Sequence, residues 1–287
     1  MTLLAAARDP KVAIVTASLR LHLADRLALI AVVLAAVAGA AGLFVPNLYR
    51  DTAEGIRQAR ATDLVTLLVA VPALAIGLWR ARAGSAGGRL VAIAALGYLA
   101  YSYAIYAFSV VIDPLTPVHI AILGSATWAL VLSVFRLDDG AIDRASKFRL
   151  SRRTTGGFLI AVAGLFATLW LSQIAGAITS GRLPASVSDL NLPTSPVFVI
   201  DLAFAVPLMT LAGVWLIRRD RRGPAGAVAA LAFLVILGLS VLAIFVFEAS
   251  AGVVVELVPI VIFGLMTATA ALLLGLSLAG SQRRTAS

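Results

Sequence analysis

Residues 225–247 read AGAVAALAFLVILGLSVLAIFVF, a run without a single ionisable side chain. Wound as an α-helix at 1.5 Å per residue, a run of this length covers the roughly 30 Å of a bilayer's hydrocarbon core. Comparable runs recur on either side, at about 27–46, 61–79, 90–111, 117–135, 155–177, 197–217 and 254–278, so eight crossings are expected. None shows the short alternating pattern of a barrel strand, and unpaired backbone groups are intolerable in hydrocarbon, so the spans are helices. The expected fold class is an all-α polytopic transmembrane bundle.

Composition agrees. The chain of 287 residues is 61% hydrophobic and 13% charged, with a mean hydropathy of +1.01, whereas a soluble domain carries about 25% charged residues. With no Cys, disulfides, thiolate catalysis and Cys-ligated zinc, iron–sulfur or haem centres are excluded. The chain has only two His, one of them in the charged N-terminal stretch, which excludes an intramembrane bis-His haem held by one protomer. The pI of about 10.9 suggests nucleic acid at first sight, but the basic residues flank the spans, so orientation explains them and no nucleic-acid partner is expected.

An even number of crossings leaves both termini on one side. The basic residues choose it: Arg8, Lys11, Arg20, Arg26, Arg80, Arg82, Arg89, the group from Arg136 to Arg153, Arg218 to Arg222, Arg283 and Arg284 all lie on the terminal side. Arg50, Arg57, Arg60 and Arg182 lie opposite, where acids outnumber bases. By the positive-inside rule both termini are cytoplasmic, and the expected location is a cytoplasmic (inner) membrane. The organisation follows: a cytoplasmic segment over 1–26 leading into an uncleaved signal-anchor helix rather than a cleaved signal peptide, a first half over 27–135, a linker over 136–154, a second half over 155–280 and a tail over 281–287. Within the linker, Leu137 to Phe148 alternates apolar and charged residues at helical spacing, which suits either an interfacial helix on anionic headgroups or a solvated connector.

Two phrases look alike. DLVTLLVAVPALAIGLW (63–79) and DLAFAVPLMTLAGVW (201–215) both run acid, Ala-Val-Pro, Gly, Trp and then an Arg group, although the acid-to-proline spacing differs. A parallel four-plus-four internal repeat would explain this, with a pseudo-two-fold axis along the membrane normal. Pro72 and Pro207, and Pro259 in the last span, remove backbone donors and predict kinks or freed carbonyls, a device of gated cavities and of ordinary packing alike.

Asp63, His119 and Asp201 stand equally far ahead of Arg80, Arg136 and Arg218, about 26 Å of helix, which predicts one polar layer near the outer edge of the hydrocarbon. Glu256, and Glu248 beside it, could join that layer. Ionisable groups retained in a span usually face the bundle interior or water, but near the interface a carboxylate can also simply snorkel. Tyr98, Tyr101, Tyr103 and Tyr106 hold four of the five tyrosines, and Tyr98, Ser102, Tyr106 and Ser109 form one stripe, with Tyr101 extending it and Tyr103 pointing elsewhere. Each buried phenol seeks a partner, and an interfacial aromatic belt is the competing reading. Gln173, with Ser172 and Thr168, could line the same cavity, and the loop Thr179 to Pro196 could cover it. Such groups could exchange protons or hold a divalent cation or an organic amine; one His with scattered acids identifies no metal and no cofactor.

The strings DLVTLLVAVPALAIGLW, GYLAYSYAIYAF (97–108) followed by Asp113-Pro114, and PVFVIDLAFAVPLM (196–209) resemble those of a family of polytopic membrane proteins of bacteria, actinobacteria in particular, to which no activity is attached. The likeness runs from about Leu48 to Val228. In that family the stretch at Ile112 and Asp113 looks like Phe-Asn-Pro and the place of His119 tends to be aromatic, so the resemblance emphasises Asp63, Asp201 and the tyrosines over His119. It implies the membrane fold and no particular chemistry.

The leading expectation is a transporter or cation- or proton-coupled permease for a small solute or lipid, with Asp63 and Asp201 binding the cation. No phosphate-binding loop is present to power it. The alternatives are a membrane-embedded enzyme acting on a lipid or isoprenoid-like substrate, which lacks a nucleophile or metal signature, and a noncatalytic sensor or assembly subunit. Membrane lipid is the one expected partner; homo-oligomers and membrane-protein partners stay open.

Overall fold

The computed structural model describes residues 22–137, 140, 145 and 151–282. Most of the segment 1–26, nearly all of the expected interfacial helix over 137–148 and most of the C-terminal tail lie outside the described residues. Eight of the described helices are long and apolar enough to cross a membrane: α1 (Leu23–Phe44), α2 (Ala53–Arg82), α3 (Ala86–Ser109), α4 (Thr116–Phe135), α5 (Arg152–Ser180), α6 (Pro196–Ile217), α7 (Gly223–Ser250) and α8 (Leu257–Gln282). The chain is an all-α, multi-spanning membrane protein in contact with lipid.

The boundaries correct the hydropathy reading where polar residues continue a helix. Helix α2 begins at Ala53, ahead of the apolar onset, because Thr52 caps it by accepting from the Gly55 amide (3.0 Å) and Glu54 complements the helix dipole in the first turn. Helix α5 is likewise longer than its apolar run and stops where Gly181 takes a left-handed conformation (φ 67°).

The first half is a closed ring: α1 packs on α2 and α4, α2 on α3, and α3 on α4. The seam along α1 is built from small residues, since α1 buries Ala24, Ala28, Ala31, Ala35, Ala38, Gly39 and Gly42, spaced to form one face. Between helices in lipid there is little hydrophobic drive, and close backbone approach supplies the attraction instead. A Cβ on Gly39 would stand 3.1 Å from the Asp63 carbonyl, which measures how near α1 and α2 come.

The second half is an open row. Helix α5 packs on α6, α6 on α7 and α7 on α8, around larger side chains such as Leu159, Phe166, Met209, Leu231 and Met266. Helices α5 and α8 do not lie along each other; Phe166 and Phe263 bridge them, ring centroids 5.6 Å apart. Helix α7 joins the halves by packing on α2 and α3. At the end of the bundle that carries Arg80, Arg89, Arg136 and Arg218, here the arginine end, Leu90 and Ile93 of α3 meet Ala225 and Val228 of α7. At the opposite, acidic end, Arg57 of α2 donates to Glu248 of α7 (Nε–Oε2 2.7 Å).

The spans that carry Pro72 and Pro207 contain the same irregularity. Helix α2 widens to π geometry over Thr66–Ala70 and α6 over Asp201–Ala205, and in each the residue before the proline bonds five residues back, Val71 to the Thr66 carbonyl and Val206 to that of Asp201. A proline ring crowds the carbonyl four residues earlier, and a π turn relieves that crowding without breaking the helix. The tight hairpins that follow also match: a Cβ on Gly88 would meet the backbone of Ala81, and one on Gly223 the backbone of Leu216.

Candidate functional site

The acids expected in one layer occupy two different settings on either flank of α3. Asp63 is sealed in the first half. Its Oδ2 accepts from the Tyr49 hydroxyl at 2.6 Å, and its Oδ1 lies 2.9 Å from the Tyr106 hydroxyl, which also reaches the Ala59 carbonyl at 2.7 Å. Gly42 of α1 makes the space: any Cβ there would collide with the Asp63 carboxylate and the Tyr49 hydroxyl. Tyr103 and His119 complete the cluster, with the His119 ring 4.7 Å from Tyr106 and 5.6 Å from Tyr103. Tyr49 sits in the loop before α2, where burial first, and then the Asp63 charge, push its phenol above the ordinary range and keep it a donor.

Asp201 faces the other way. Between the halves lies a cavity of about 350 Å³, walled by α2, α3, α5, α6, α7 and α8 and reached by Leu190 and Leu192 of the loop before α6. Its lining is mainly apolar, with Tyr101, Ser102, Tyr106, Ser240 and Asp201 among the polar groups. Asp201 is 6% exposed; its Oδ2 accepts from the Trp170 indole at 2.7 Å, while its Oδ1 has no hydrogen-bond partner among the described residues. The Tyr101 phenol stands beside this carboxylate on the cavity wall. Trp170 is held in a ladder of rings, 6.0 Å from Phe166 and 4.9 Å from Phe198, and the cavity wall continues through Phe263 and Phe245. A mainly apolar chamber with a few convergent polar groups is the usual form of a small-molecule site.

The remaining candidates divide between these settings or fall outside both. Tyr98 is fully buried and donates to Ser240 of α7 (3.1 Å), tying the halves together rather than facing the cavity. Tyr101 and Tyr106 line the cavity, so they are the two phenols of α3 with access to it. His119 is buried within the Asp63 cluster and does not reach the cavity lining. Gln173 points to the covering loop, accepting from Ser186 at 3.5 Å, and Ser172 and Thr168 are on the exposed face of α5. Glu256 is exposed in the turn before α8 and joins neither cluster, because the apolar helix begins only at Leu257. Among the described residues no three His, Asp or Glu side chains gather as a metal site.

Trp170 and Tyr49 are the partners that sequence reading misses. Trp170 carries a signal: an indole N–H in the apolar part of a span requires an acceptor. Tyr49 carries none, because only the chain's return from α1 to α2 brings it above Asp63. No protein-family model, curated protein or solved structure matches this chain.

Proposed function

We propose that the chain is an integral-membrane transporter whose solute binds in the cavity between the two four-helix halves, with Asp201 as the carboxylate that meets the solute or its coupled cation. The observation that carries this reading is the buried Asp201 carboxylate among the lining residues of a cavity of about 350 Å³ inside a membrane bundle, with the Tyr101 phenol beside it. A buried carboxylate in such surroundings is costly, and retained ionisable groups of this kind mark solute and ion routes. Asp63 takes a structural role in this scheme, because both its oxygens have phenolic neighbours inside the first half.

The halves, 27–135 and 155–280, are read as copies of one parallel unit moving against each other. Three features support the duplication: the paired π turns before Pro72 and Pro207, the matching hairpins at Gly88 and Gly223, and the packing of α7 on α2 mirrored by that of α6 on α3. The arginine end is assigned to the cytoplasm, which puts the cavity in the outer part of a bacterial inner membrane. There the α3–α7 seam at Leu90, Ile93, Ala225 and Val228 closes the inner side and the loop at Leu190 and Leu192 covers the outer.

The chain's freedom from cysteine makes the test direct. Ile105 and Leu237 line the cavity, and Ile105→Cys and Leu237→Cys variants are exposed to a membrane-impermeant maleimide in right-side-out and in inverted vesicles. A transporter labels from both faces. Labelling from the outer face alone rejects transport and leaves the lipid-active enzyme or sensor readings.

A further inference from the structure

The cavity brings together a buried carboxylate and a wall of aromatic rings, and that pairing restricts the chemistry of its occupant. We propose that it binds a hydrophobic organic ammonium ion bearing at least one N–H, whose donor completes Asp201 Oδ1 while its apolar portion lies against Phe166, Trp170, Phe245 and Phe263. This deepens the transporter reading and rests on its choice of cavity.

The argument turns on what each surface can satisfy. Asp201 is a lining residue whose Oδ1 is buried beside the Tyr101 hydroxyl and meets no hydrogen-bond geometry among the described residues, so a solute's donor reaches it by displacing that phenol. The Trp170 N–H already serves Oδ2 at 2.7 Å and cannot serve both oxygens well. A neutral donor would satisfy Oδ1, but a charged one gains more, since the attraction between opposite charges is added to the hydrogen bond and is strong where water is excluded. Ring faces attract cations, by about 2 kcal/mol or more where water is excluded. Phe166 and Trp170 stack at 6.0 Å, and Phe245 and Phe263 meet edge to face at 6.0 Å, which holds these rings in place before any solute arrives. An inorganic cation fits poorly: calcium wants six to eight oxygen ligands, whereas this lining is mainly apolar. A carboxylate or phosphate solute would set like charge against Asp201. What remains is a cation with a substantial hydrocarbon part.

The competitor is internal. Tyr101 stands beside the carboxylate and its hydroxyl can turn toward Oδ1, so the ammonium displaces that arrangement on entry.

The test compares 2-phenylethylammonium with 2-phenylethanol, which share a carbon frame and a terminal donor and differ in charge, by isothermal titration of the purified full chain in detergent. The parent protein is expected to bind the ammonium about tenfold or more tightly than the alcohol. Asp201→Asn, which keeps the size and removes the charge, is expected to bring the two to within about threefold. Trp170→Phe, which keeps a ring and frees Oδ2, is expected to bind the ammonium at least as tightly as the parent. Equal binding of the two probes by the parent overturns the proposal whatever the variants do, and so does an ammonium preference that survives Asp201→Asn. The labelling experiment fails independently: two-sided labelling with no ammonium preference keeps transport and removes this ligand class, and outer-face labelling with the preference intact does the reverse.

Discussion

Asp63 and Asp201 open two similar phrases and end in opposite conditions. Asp63 is 1% exposed, touched by two phenols and walled by a glycine of α1; Asp201 has one indole donor, the Tyr101 phenol beside it and a place among the residues that line a cavity. The halves around them differ in the same sense. Where α1 closes the first half with alanines, the second has no helix closing α5 to α8. On the proposed duplication, one unit serves as a rigid base in one position and as a site in the other, and the deciding variable is whether the ring closes.

Crowding the sealed acid tests that contrast most severely. Gly42→Leu drives a side chain into the Asp63 carboxylate and the Tyr49 hydroxyl, and the expected result is loss of a monodisperse protein in size-exclusion chromatography. Gly164→Leu in the second half points into open space and is expected to change unfolding stability by less than about 0.5 kcal/mol. Next in size is truncation of the acids. Asp63→Ala strands the Tyr49 phenol, takes one of the two acceptors of Tyr106 and should cost about 2–4 kcal/mol in detergent unfolding, while Asp201→Ala strands the Trp170 indole and should cost about 1–3 kcal/mol. A larger loss at Asp201 would reverse the division into base and site.

The bond between halves comes third. Arg57 and Glu248 are partly exposed, so a double-mutant cycle with Arg57→Met and Glu248→Gln should return a coupling of about 1 kcal/mol. The same substitutions should raise maleimide labelling at Leu237→Cys from the acidic end; unchanged labelling would show that the pair does not hold the halves together. The smallest effect is expected at the prolines: Pro72→Ala and Pro207→Ala should each shift stability by less than about 1 kcal/mol, and by similar amounts, if the two π turns are equivalent. Unequal shifts would weaken the duplication.

Much of the fold is legible in the sequence because lipid imposes a length and a polarity on every crossing. The eight spans are read from composition alone, and the errors fall where a polar helix continues past the membrane, as at Ala53. The site is less legible. Depth counted from the arginines puts Asp63 and Asp201 in one layer, but depth carries no information about direction. Counted from the prolines instead, Asp201 corresponds to Thr66, the residue that opens the other π turn, and Asp63 to Phe198. The two acids are thus offset by three residues, about 4.5 Å along the axis and some 60° around it, enough to send them to different neighbours. Glu256 was placed by a hydropathy boundary, which is the least determined part of such a reading, and the structure leaves it in a turn.

The bridge between α5 and α8 consists of two phenyl rings rather than of backbone. Rotating two side chains is a far smaller event than parting two helices, so on the proposed reading a doorway to the chamber opens sideways into the acyl chains. An amphiphile arriving by that doorway is drawn from the bilayer, where its abundance follows its oil–water partitioning rather than its dose in the medium. Occupancy would then track lipid volume as well as added solute, and two compounds of equal intrinsic affinity would rank by how greasy they are.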